Sequence, residues 1–550
     1  MKRKIKSFFI GLTIICSVAL TGYTIDDRLF EITKNLDVFS TMFRELNAFY
    51  VDEVNPDKAI KASIQAMLKN LDPYTVFWNE DEIEDVFTQN AGTYNGIGAS
   101  IDYYEGKHIV VMLYEGSPAD KMGIKIGDDI QKINGVDVTK KDDSEFSRLL
   151  KGQTGTNVKL VVKRFGQTKN LDISVGRDII KTPNVPHYGM INDEVGYILL
   201  TDFSATAAKE IKTATLELKE KGMKKLVIDL RGNPGGLLNM SVEICNFFIP
   251  KGLTVVETKG KVKEWNKKYL TMAAPLDTDL PIAVLINGRS ASASEIVSGT
   301  LQDYDRAVLI GQRSFGKGLV QVTRDLSYGT KMKITTSKYY IPSGRCIQAI
   351  DYANRLTDGS VSKLPDSLRA LFKTKNGRPV YDGGGVEPDI KTQSSELSEF
   401  TKALISKKKI FDFATKYYFT HLENKPAEKF SLTSKDVQDF ENWLGAQSFD
   451  YKTPNQVALE NLIISAKLSG DYVKMKNQLE EVKKIADLGY EQLVKTNVKQ
   501  IKEQLELEIL SRYYYQKAMK FVSFEKDEDI QEALKLFSDM NKYKSILARK

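Results

Sequence analysis

Short apolar runs alternate with stretches of helical length between Glu194 and Ile390. Val195–Leu200 and Lys225–Leu230 are predicted strands, and Ala205–Lys221 between them is a predicted helix. The alternation continues through a helix, a strand, a helix and a strand: Leu237–Ile249, Ile282–Ile286, Ala293–Gln302 and Ala307–Ile310. Strands that alternate with helices pack as a sheet covered by helices, so this region predicts an α/β layered domain.

The region from Gly92 to Val175 instead has short β runs separated by turns. Glycine marks three of its segments: Gly96-Ile97-Gly98-Ala99, Gly116-Ser117-Pro118-Ala119 and Gly127-Asp128. A Gly-rich turn can aim backbone N–H groups at a chain-terminal carboxylate, and an exposed strand edge can pair with the peptide behind it. In this order the segments resemble a PDZ domain. The resemblance implies a peptide-binding loop formed by Gly96, Ile97, Gly98 and Ala99.

Both ends of the chain are predicted to be helical. Apolar side chains recur at three- and four-residue steps near the N-terminus, as on one face of an amphipathic helix: Leu36, Phe39, Phe43, Leu46 and Phe49. Beyond Ile390 the chain is charged and has further helical stripes. Such stripes could build a homodimer or dock an adaptor protein, although most belong to a core.

Residues 1–22 have the order of an export signal. The start is cationic, with Lys2, Arg3, Lys4 and Lys6, and it is followed by the mostly apolar run Ser7–Leu20. This run is shorter than the roughly 20 residues that a membrane-spanning helix needs. We therefore expect a periplasmic or cell-envelope protein, with the segment either cleaved or kept as a membrane anchor.

Composition excludes several classes of function. The formal net charge is +7, part of it in the N-terminal segment, and the other basic residues are spread among acids. No nucleic-acid surface is therefore predicted. The three Cys and three His are far apart in the sequence, so neither a zinc site nor a disulfide framework is expected. We predict no metal and no cofactor, and any acid–base chemistry would use Lys, Asp or Glu.

A predicted strand runs into a helix through the glycine-rich segment Asp229-Leu230-Arg231-Gly232-Asn233-Pro234-Gly235-Gly236. The segment lacks the Gly-Lys-Ser/Thr ending of a nucleotide P-loop and the glycine spacing of a Rossmann turn. Its backbone N–H groups at a helix start could instead hold a developing oxyanion.

Two further segments supply candidate side chains. The small-residue turn Ser290-Ala291-Ser292-Ala293-Ser294-Glu295 precedes a helix, a position that by itself is more typical of a helix cap. In Phe315-Gly316-Lys317-Gly318 the glycines leave the lysine uncrowded. A lysine withdrawn from water is more readily neutral and can act as the general base for a serine. Ser290, Ser292 and Ser294 are all candidates for that serine.

Together these segments resemble the carboxy-terminal processing, or tail-specific, proteases, which pair a PDZ domain with a Ser/Lys protease domain. The resemblance covers about Asp72 to Ile390. It implies that Ser292 is the nucleophile, Lys317 the general base and Gln321 the residue that orients the lysine. It also implies an oxyanion hole made by backbone N–H groups of Gly235, Gly236 and Ala293.

The prediction is thus an α+β multidomain protein in which a crotonase-like layered Ser/Lys protease domain carries an inserted PDZ β-domain. Its expected parts are an export segment, a helical region, the PDZ domain, the protease domain and a helical C-terminal region: residues 1–22, 23–90, 91–178, 179–392 and 393–550. The expected function is an exported serine endopeptidase for proteins or peptides bound by their C-termini. No role is predicted for residues 345–389.

The main alternative is a catalytically silent PDZ scaffold. A crotonase-like acyl-CoA enzyme fits the export signal and the PDZ segment less well. A lipid or retinoid carrier on the same fold would need neither Lys317 nor Gln321.

Overall fold

The computed structural model describes residues 27–80, 82–83, 90–355, 360–393, 397–421, 430–447, 449–487, 489–515, 524–525 and 527–548. The predicted export segment, residues 1–22, lies outside them. The described residues divide into two structural units: the smaller consists of residues 27–77 with Thr323–Leu326 and Lys331–Ile334, and the larger contains the other described residues. In the part of the chain that is described, no helix is long and apolar enough to cross a membrane.

The smaller unit begins with helices, as predicted. Residues 27–49 form the first helix and Pro56–Lys69 the second. Asn55 caps the second helix, because its side chain accepts the Lys58 N–H at 3.0 Å. The short strand Val76–Trp78 follows.

A six-stranded sheet forms the centre of the larger unit. In spatial order its strands are His187–Met190, Val195–Leu199, Lys225–Asp229, Ile282–Ile286, Ala307–Gly311 and Ile390–Lys391. The first pair is antiparallel and the other pairs are parallel. The second, fourth and fifth strands are buried along their whole length, as apolar runs predict for a parallel sheet. The predicted α/β layered domain is confirmed.

Helices cover both faces of this sheet. Ala207–Glu220, Leu238–Asn246 and Ala293–Asp303 pack on one face. The last two helices, Glu528–Ser538 and Met540–Leu547, cover the other face. Since successive side chains of a strand point to opposite faces, the two helical layers contact alternate residues of the same strands. The end of the chain, predicted only as part of a helical region, thus completes the core of the central sheet.

The inserted β-domain has its own sheet and core. Five of its strands lie side by side in chain order: Ala99–Tyr104, Lys107–Leu113, Asp129–Ile133, Asn157–Lys163 and Leu171–Gly176. The short strand Val136–Asp137 pairs with the third of them. The helices Pro118–Lys121 and Asp143–Leu150 complete it. Thr93–Gly96 pairs with Asp178–Lys181 where the domain joins the rest of the chain. The first strand, Ala99–Tyr104, lies at the edge of the sheet.

Residues 345–389 brace the helix Ala293–Asp303 through buried ion pairs. The chain forms two small hairpins here, Ile350–Arg355 with Val361–Lys363 and Leu371–Lys373 with Pro379–Tyr381. Arg345 pairs with Asp303 at 3.0 Å and Arg378 with Asp305 at 2.6 Å, at the end of that helix. The segment without a predicted role therefore supports this helix.

The described residues form further elements. Other strands are Thr254–Gly260, Lys267–Leu270, Leu319–Asp325 and Lys331–Tyr340, and short 3₁₀ turns are Lys263–Trp265 and Asp366–Leu368. The C-terminal helices are Glu399–Ser406, Lys409–Thr420, Ser434–Gly445, Pro454–Ser469, Tyr472–Ala486, Tyr490–Thr496 and Val498–Tyr514. The helix Lys409–Thr420 contacts the β-domain, where the Tyr104 hydroxyl donates to Asp412 at 2.8 Å.

Phe537 packs against the central sheet and is only 1% exposed. Truncating this side chain tests whether the last helices contribute to the core. Phe537→Ala should lower the free energy of unfolding by about 3–5 kcal/mol, because it removes buried apolar surface and leaves a cavity. Chemical denaturation followed by circular dichroism measures this change. Leu468→Ala, at a side chain that is 86% exposed, is the control. Equal destabilisation by both variants would contradict the assigned packing.

Candidate active site

Two turns meet at the carboxyl edge of the central sheet. The strands Lys225–Asp229 and Ile282–Ile286 are parallel neighbours, with Asp229 opposite Leu285. Their carboxyl ends therefore lie side by side. We call residues 230–236 the glycine turn and residues 287–292 the serine turn. Crevices outside the carboxyl ends of strands are where open α/β sheets commonly bind ligands.

Asn233 ties the glycine turn to the serine turn. Its buried side chain donates through Nδ2 to the Leu200 carbonyl at 2.7 Å and accepts the Gly235 N–H at 2.8 Å. Its own carbonyl accepts the Ala291 N–H and the Ser294 hydroxyl, both at 3.0 Å. Sequence reasoning missed this role, since Asn is common in any turn.

Ser292 immediately precedes the helix Ala293–Asp303 and has an unusual backbone. Its φ of 56° and ψ of −113° belong to a region that residues other than glycine rarely adopt. Such a conformation costs of the order of 1–3 kcal/mol and is concentrated at functional sites. The residue is half-buried at the N-terminal end of the helix, where the helix dipole favours negative charge.

The two neighbouring serines have structural roles. Ser290 and Ser294 are completely buried. The Ser290 hydroxyl donates to the Leu230 carbonyl at 2.8 Å and accepts the Asn287 N–H at 3.0 Å, and the Ser294 hydroxyl donates to Asn233. Of the three candidate serines, Ser292 is thus the one that is not fully buried.

A single buried carboxylate joins the serine turn to the lysine segment. Glu295 Oε2 accepts the backbone N–H of Ser292 at 2.8 Å and that of Lys317 at 2.9 Å. Glu295 Oε1 accepts the Ser314 hydroxyl at 2.5 Å and the Gly316 N–H at 2.7 Å. The carboxylate therefore sets the position of the Ser292 backbone relative to the Lys317 backbone.

Glu295 is completely buried. Burial raises the pKa of its carboxyl group, the four donors oppose this effect, and the net pKa lies above the ordinary value. The sequence indicates one of the roles of Glu295, because a glutamate three positions after a serine is the pattern of a capping box. Its contacts with the lysine segment join distant parts of the chain, and no local pattern indicates them.

Lys317 is half-buried between two closely packed glycines. Gly316 has a φ of 87°, and a Cβ there would lie 2.4 Å from Ala349, so the position requires glycine. The Gly318 N–H donates to Gln348 Oε1 at 2.7 Å. The segment around the lysine is therefore held from both sides.

Gln321 lies in the strand Leu319–Asp325 and donates through Nε2 to Thr335 Oγ1 at 3.1 Å. This contact fixes the amide against a neighbouring strand. The predicted orientation of Lys317 by Gln321, and the predicted contact between the side chains of Lys317 and Ser292, stay predictions.

The predicted oxyanion donors are partly brought together. A Cβ on Gly235 would lie 2.8 Å from the Ala293 nitrogen, so a glycine allows this close approach. Ala293 is the first residue of its helix, where an N–H has no carbonyl partner within the helix. The Gly235 N–H, however, donates to Asn233 Oδ1. At the bridge between Phe203 and Gly236, the Phe203 carbonyl accepts the Leu237 N–H at 2.8 Å, so this bridge leaves the Gly236 N–H unused. Ala293 and Gly236 are therefore better placed as donors than Gly235.

The predicted peptide-binding loop Gly96–Ala99 leads into the edge strand of the β-domain. The Ile97 side chain is buried in the domain core. The Ile97 carbonyl accepts the Ala119 N–H at 2.8 Å, and the Gly98 carbonyl accepts the Tyr114 N–H at 3.0 Å. These carbonyls are engaged within the domain, beside a strand edge to which an extended peptide could add.

The described thiols are poorly suited to nucleophilic chemistry. Burial raises the pKa of the Cys245 thiol to about 12, and burial also raises the pKa of Cys346. The reactive thiolate form is therefore scarce at neutral pH. Within the described ranges, no group of His, Cys, Asp and Glu could hold a metal ion.

Three protein families match parts of this chain. Residues 194–354 match peptidase family S41, residues 109–164 match the PDZ domain, and residues 400–537 match the "Probable PDZ-protease, C-terminal helical domain". The first match includes the glycine turn, the serine turn and the lysine segment. The PDZ match begins after the loop Gly96–Ala99.

Individual relatives extend the similarity over most of the chain. A carboxy-terminal-processing protease of Bartonella bacilliformis is 34% identical over 355 residues, which cover 64% of this chain and 81% of that protein. The carboxy-terminal processing protease CtpA of Bacillus subtilis is 31% identical over 406 residues, covering 72% and 85%. The solved structure of a photosystem II D1 C-terminal processing protease is 23% identical, covers 65% of this chain and 88% of its own, and has a TM-score of 0.35. The sequence relatives confirm the resemblance stated above.

Replacing Glu295 by glutamine should disrupt its hydrogen bonds while keeping nearly the same side-chain volume. In either orientation the new NH₂ group faces two of the four donors, and each buried donor left unpaired costs about 1–3 kcal/mol. Glu295→Gln should therefore lower the melting temperature and slow the reaction of Ser292 with a fluorophosphonate probe. Glu243→Gln, at an exposed glutamate, is the control. Identical behaviour of the two variants would refute the linking role of Glu295.

Proposed function

This chain belongs to peptidase family S41, the carboxy-terminal processing proteases, and on that premise we propose that it is an exported endopeptidase with a Ser292–Lys317 dyad. Its substrates are protein chains whose C-termini bind at the loop Gly96–Ala99. The PDZ domain then retains the substrate while the protease domain cleaves it.

The observation that carries the catalytic part is the shared Glu295 carboxylate. One buried group binds the backbone N–H of both Ser292 and Lys317. A nucleophile and its base must keep a fixed geometry, because a small displacement costs much of the rate. A scaffold that only bound peptides would have no use for this link, so the contact favours the protease over the silent PDZ scaffold.

In the proposed reaction, neutral Lys317 takes the proton of the Ser292 hydroxyl, whose oxygen attacks the carbonyl carbon of the scissile bond. The oxyanion accepts the N–H groups of Ala293 and Gly236. Collapse of the tetrahedral intermediate releases the amine, which receives the proton from Lys317, and water then hydrolyses the acyl-enzyme. Losing one oxyanion donor typically raises the barrier by about 3 kcal/mol. Gly235 can add a third donor only by giving up its bond to Asn233.

The proposal also assigns the enzyme to the periplasm or cell envelope. This rests on the cationic start of the chain and on the apolar run Ser7–Leu20. If the segment is not cleaved, it anchors the enzyme to the membrane. A homodimer or an adaptor protein bound through the terminal helices is part of the same hypothesis.

The dyad predicts which serine reacts with an active-site probe. A fluorophosphonate should label the wild type but not Ser292→Ala, and Lys317→Ala should slow labelling by roughly 100-fold or more, the usual effect of losing a general base. Ser294→Ala is the matched control: it removes a neighbouring hydroxyl that donates to Asn233, and it should still be labelled. Labelling that persists in Ser292→Ala would refute the assignment. An unlabelled wild type would support the silent scaffold.

Recognition of a free C-terminus predicts a difference between two otherwise identical substrates. A peptide with an apolar tail and a free carboxylate should be cleaved with a KM about 10-fold or more lower than its C-terminal amide, since hydrogen bonds to a charged group contribute about 1.5–3 kcal/mol. The kcat should change less, because the scissile bond is the same. A third substrate ending in Asp-Asp tests the preference for apolar tails. Equal KM values for acid and amide would exclude reading of the C-terminus by the PDZ domain.

A further inference from the structure

Arg231 links the glycine turn to the last helices of the chain. It follows Asp229 at the carboxyl end of a central strand, and its guanidinium reaches Asp527 and Asp529 at the start of the helix Glu528–Ser538. Asp527 lies 296 residues and Asp529 lies 298 residues after Arg231 in the sequence. None of the motifs predicted from the sequence includes these two aspartates.

Acidic partners satisfy the whole guanidinium of Arg231. Nη1 donates to Asp527 at 2.9 Å and to Asp529 at 2.8 Å, and Nη2 donates to Asp527 at 2.7 Å and to Asp229 at 2.6 Å. Nε donates to Asp229 at 3.0 Å. These contacts use all five N–H groups in the fixed plane that makes arginine suited to carboxylates.

The cluster is shielded from water and its charges are unequal. The side chain of Arg231 is 20% exposed, that of Asp229 is 3% exposed and that of Asp529 is 9% exposed. Three carboxylates surround one guanidinium, and hydroxyl groups of Tyr197 and Thr392 donate to two of them. Such an arrangement is stable only while every donor is in place, because an unpaired buried charge is costly.

The backbone on each side of Arg231 is bonded to the serine turn. The Leu230 carbonyl accepts the Ser290 hydroxyl at 2.8 Å, and the Gly232 N–H donates to Asn287 Oδ1 at 3.0 Å. A shift of Arg231 would therefore be transmitted to the turn that carries Ser292 and to the glycines that follow Arg231.

The helices that supply the two aspartates are firmly attached to the sheet. Ile530 and Phe537 are buried in its core. The Tyr543 hydroxyl accepts the Ile282 N–H at 2.9 Å and donates to the Ile282 carbonyl at 3.1 Å. The C-terminal helices thus hold the aspartates at a fixed place beside the glycine turn.

We propose that Asp527 and Asp529 are positioning residues for the peptidase reaction, which hold the glycine turn in its active geometry through Arg231. They do not contact the substrate. The catalytic side of this inference rests on the proposed function, because it assumes that the glycine and serine turns carry the chemistry. It makes the end of the chain a part of the active-site architecture.

The test compares the full-length double variant Asp527→Asn/Asp529→Asn with Asp539→Asn. Asn is as good a helix cap as Asp, so the double variant removes charge at the Arg231 cluster with little loss of capping. Asp539 caps the next helix by accepting N–H groups of Asn541 and Lys542, and it is the matched control. Melting temperature establishes that each variant is folded.

We expect the double variant to lower kcat about tenfold or more at nearly constant KM, as displacement of catalytic groups does. Hydrogen–deuterium exchange over residues 229–237 should accelerate by a similar factor. The conservative variant Asp527→Glu/Asp529→Glu, which keeps both charges, should recover most of the kcat. Asp539→Asn should alter neither kcat nor exchange in this segment.

Unchanged exchange over residues 229–237 in the folded double variant would overturn the inference, whatever the enzymatic activity. The inference would also be overturned if kcat fell only in proportion to the loss of melting temperature and Asp539→Asn gave the same fall in kcat at equal destabilisation. Absence of Ser292-dependent cleavage in the wild type would instead refute the proposed function. In that case the exchange measurement still decides whether the aspartates hold the glycine turn.

Discussion

The architecture of the candidate active site depends on one buried carboxylate. Glu295 accepts N–H groups from the serine turn and from the lysine segment, so the proposed nucleophile and its proposed base are held by the same group. A buried carboxylate with four donors has little freedom to move, because every shift leaves a donor unpaired. The unusual backbone of Ser292 fits this constraint. The Ser292 N–H donates to the Glu295 carboxylate, and this bond helps to hold a backbone conformation that would otherwise relax.

The central sheet makes this arrangement possible. Parallel neighbouring strands place their carboxyl ends side by side, so the glycine turn and the serine turn meet although more than fifty residues separate them. Asn233 joins the two turns, and Arg231 binds the glycine turn to the start of the helix Glu528–Ser538, which covers the opposite face of the sheet from the helix Ala293–Asp303. The helices at the two faces thus have different roles. One layer carries Ser292 at a helix start, and the other supplies the aspartates that pair with Arg231.

Local patterns predicted the principal strands and helices of the layered domain. The strand Ile282–Ile286 was predicted with the observed bounds, because a fully buried strand is a continuous apolar run. The serine and lysine segments were recognisable because their small residues and glycines are unusual. The roles of Asn233, Glu295 and Arg231 were not predicted, since Asn, Glu and Arg are ordinary surface residues until partners are known. The engagement of the Gly235 N–H was also missed, because backbone hydrogen bonds in a turn depend on its conformation.

The sequence by itself determined the layered domain, the inserted β-domain, the helical ends and the family, because periodicity and short motifs encode local structure. Only the tertiary structure showed that Ser290 and Ser294 are fully buried while Ser292 is half-buried, since the burial of the first two depends on residues far along the chain. It also decided that residues 345–389 brace a helix and that the last helices complete the central sheet. The physical reason is the same in each case. Hydrogen bonds and ion pairs between distant segments form only after the chain has brought them together, and no local pattern specifies them.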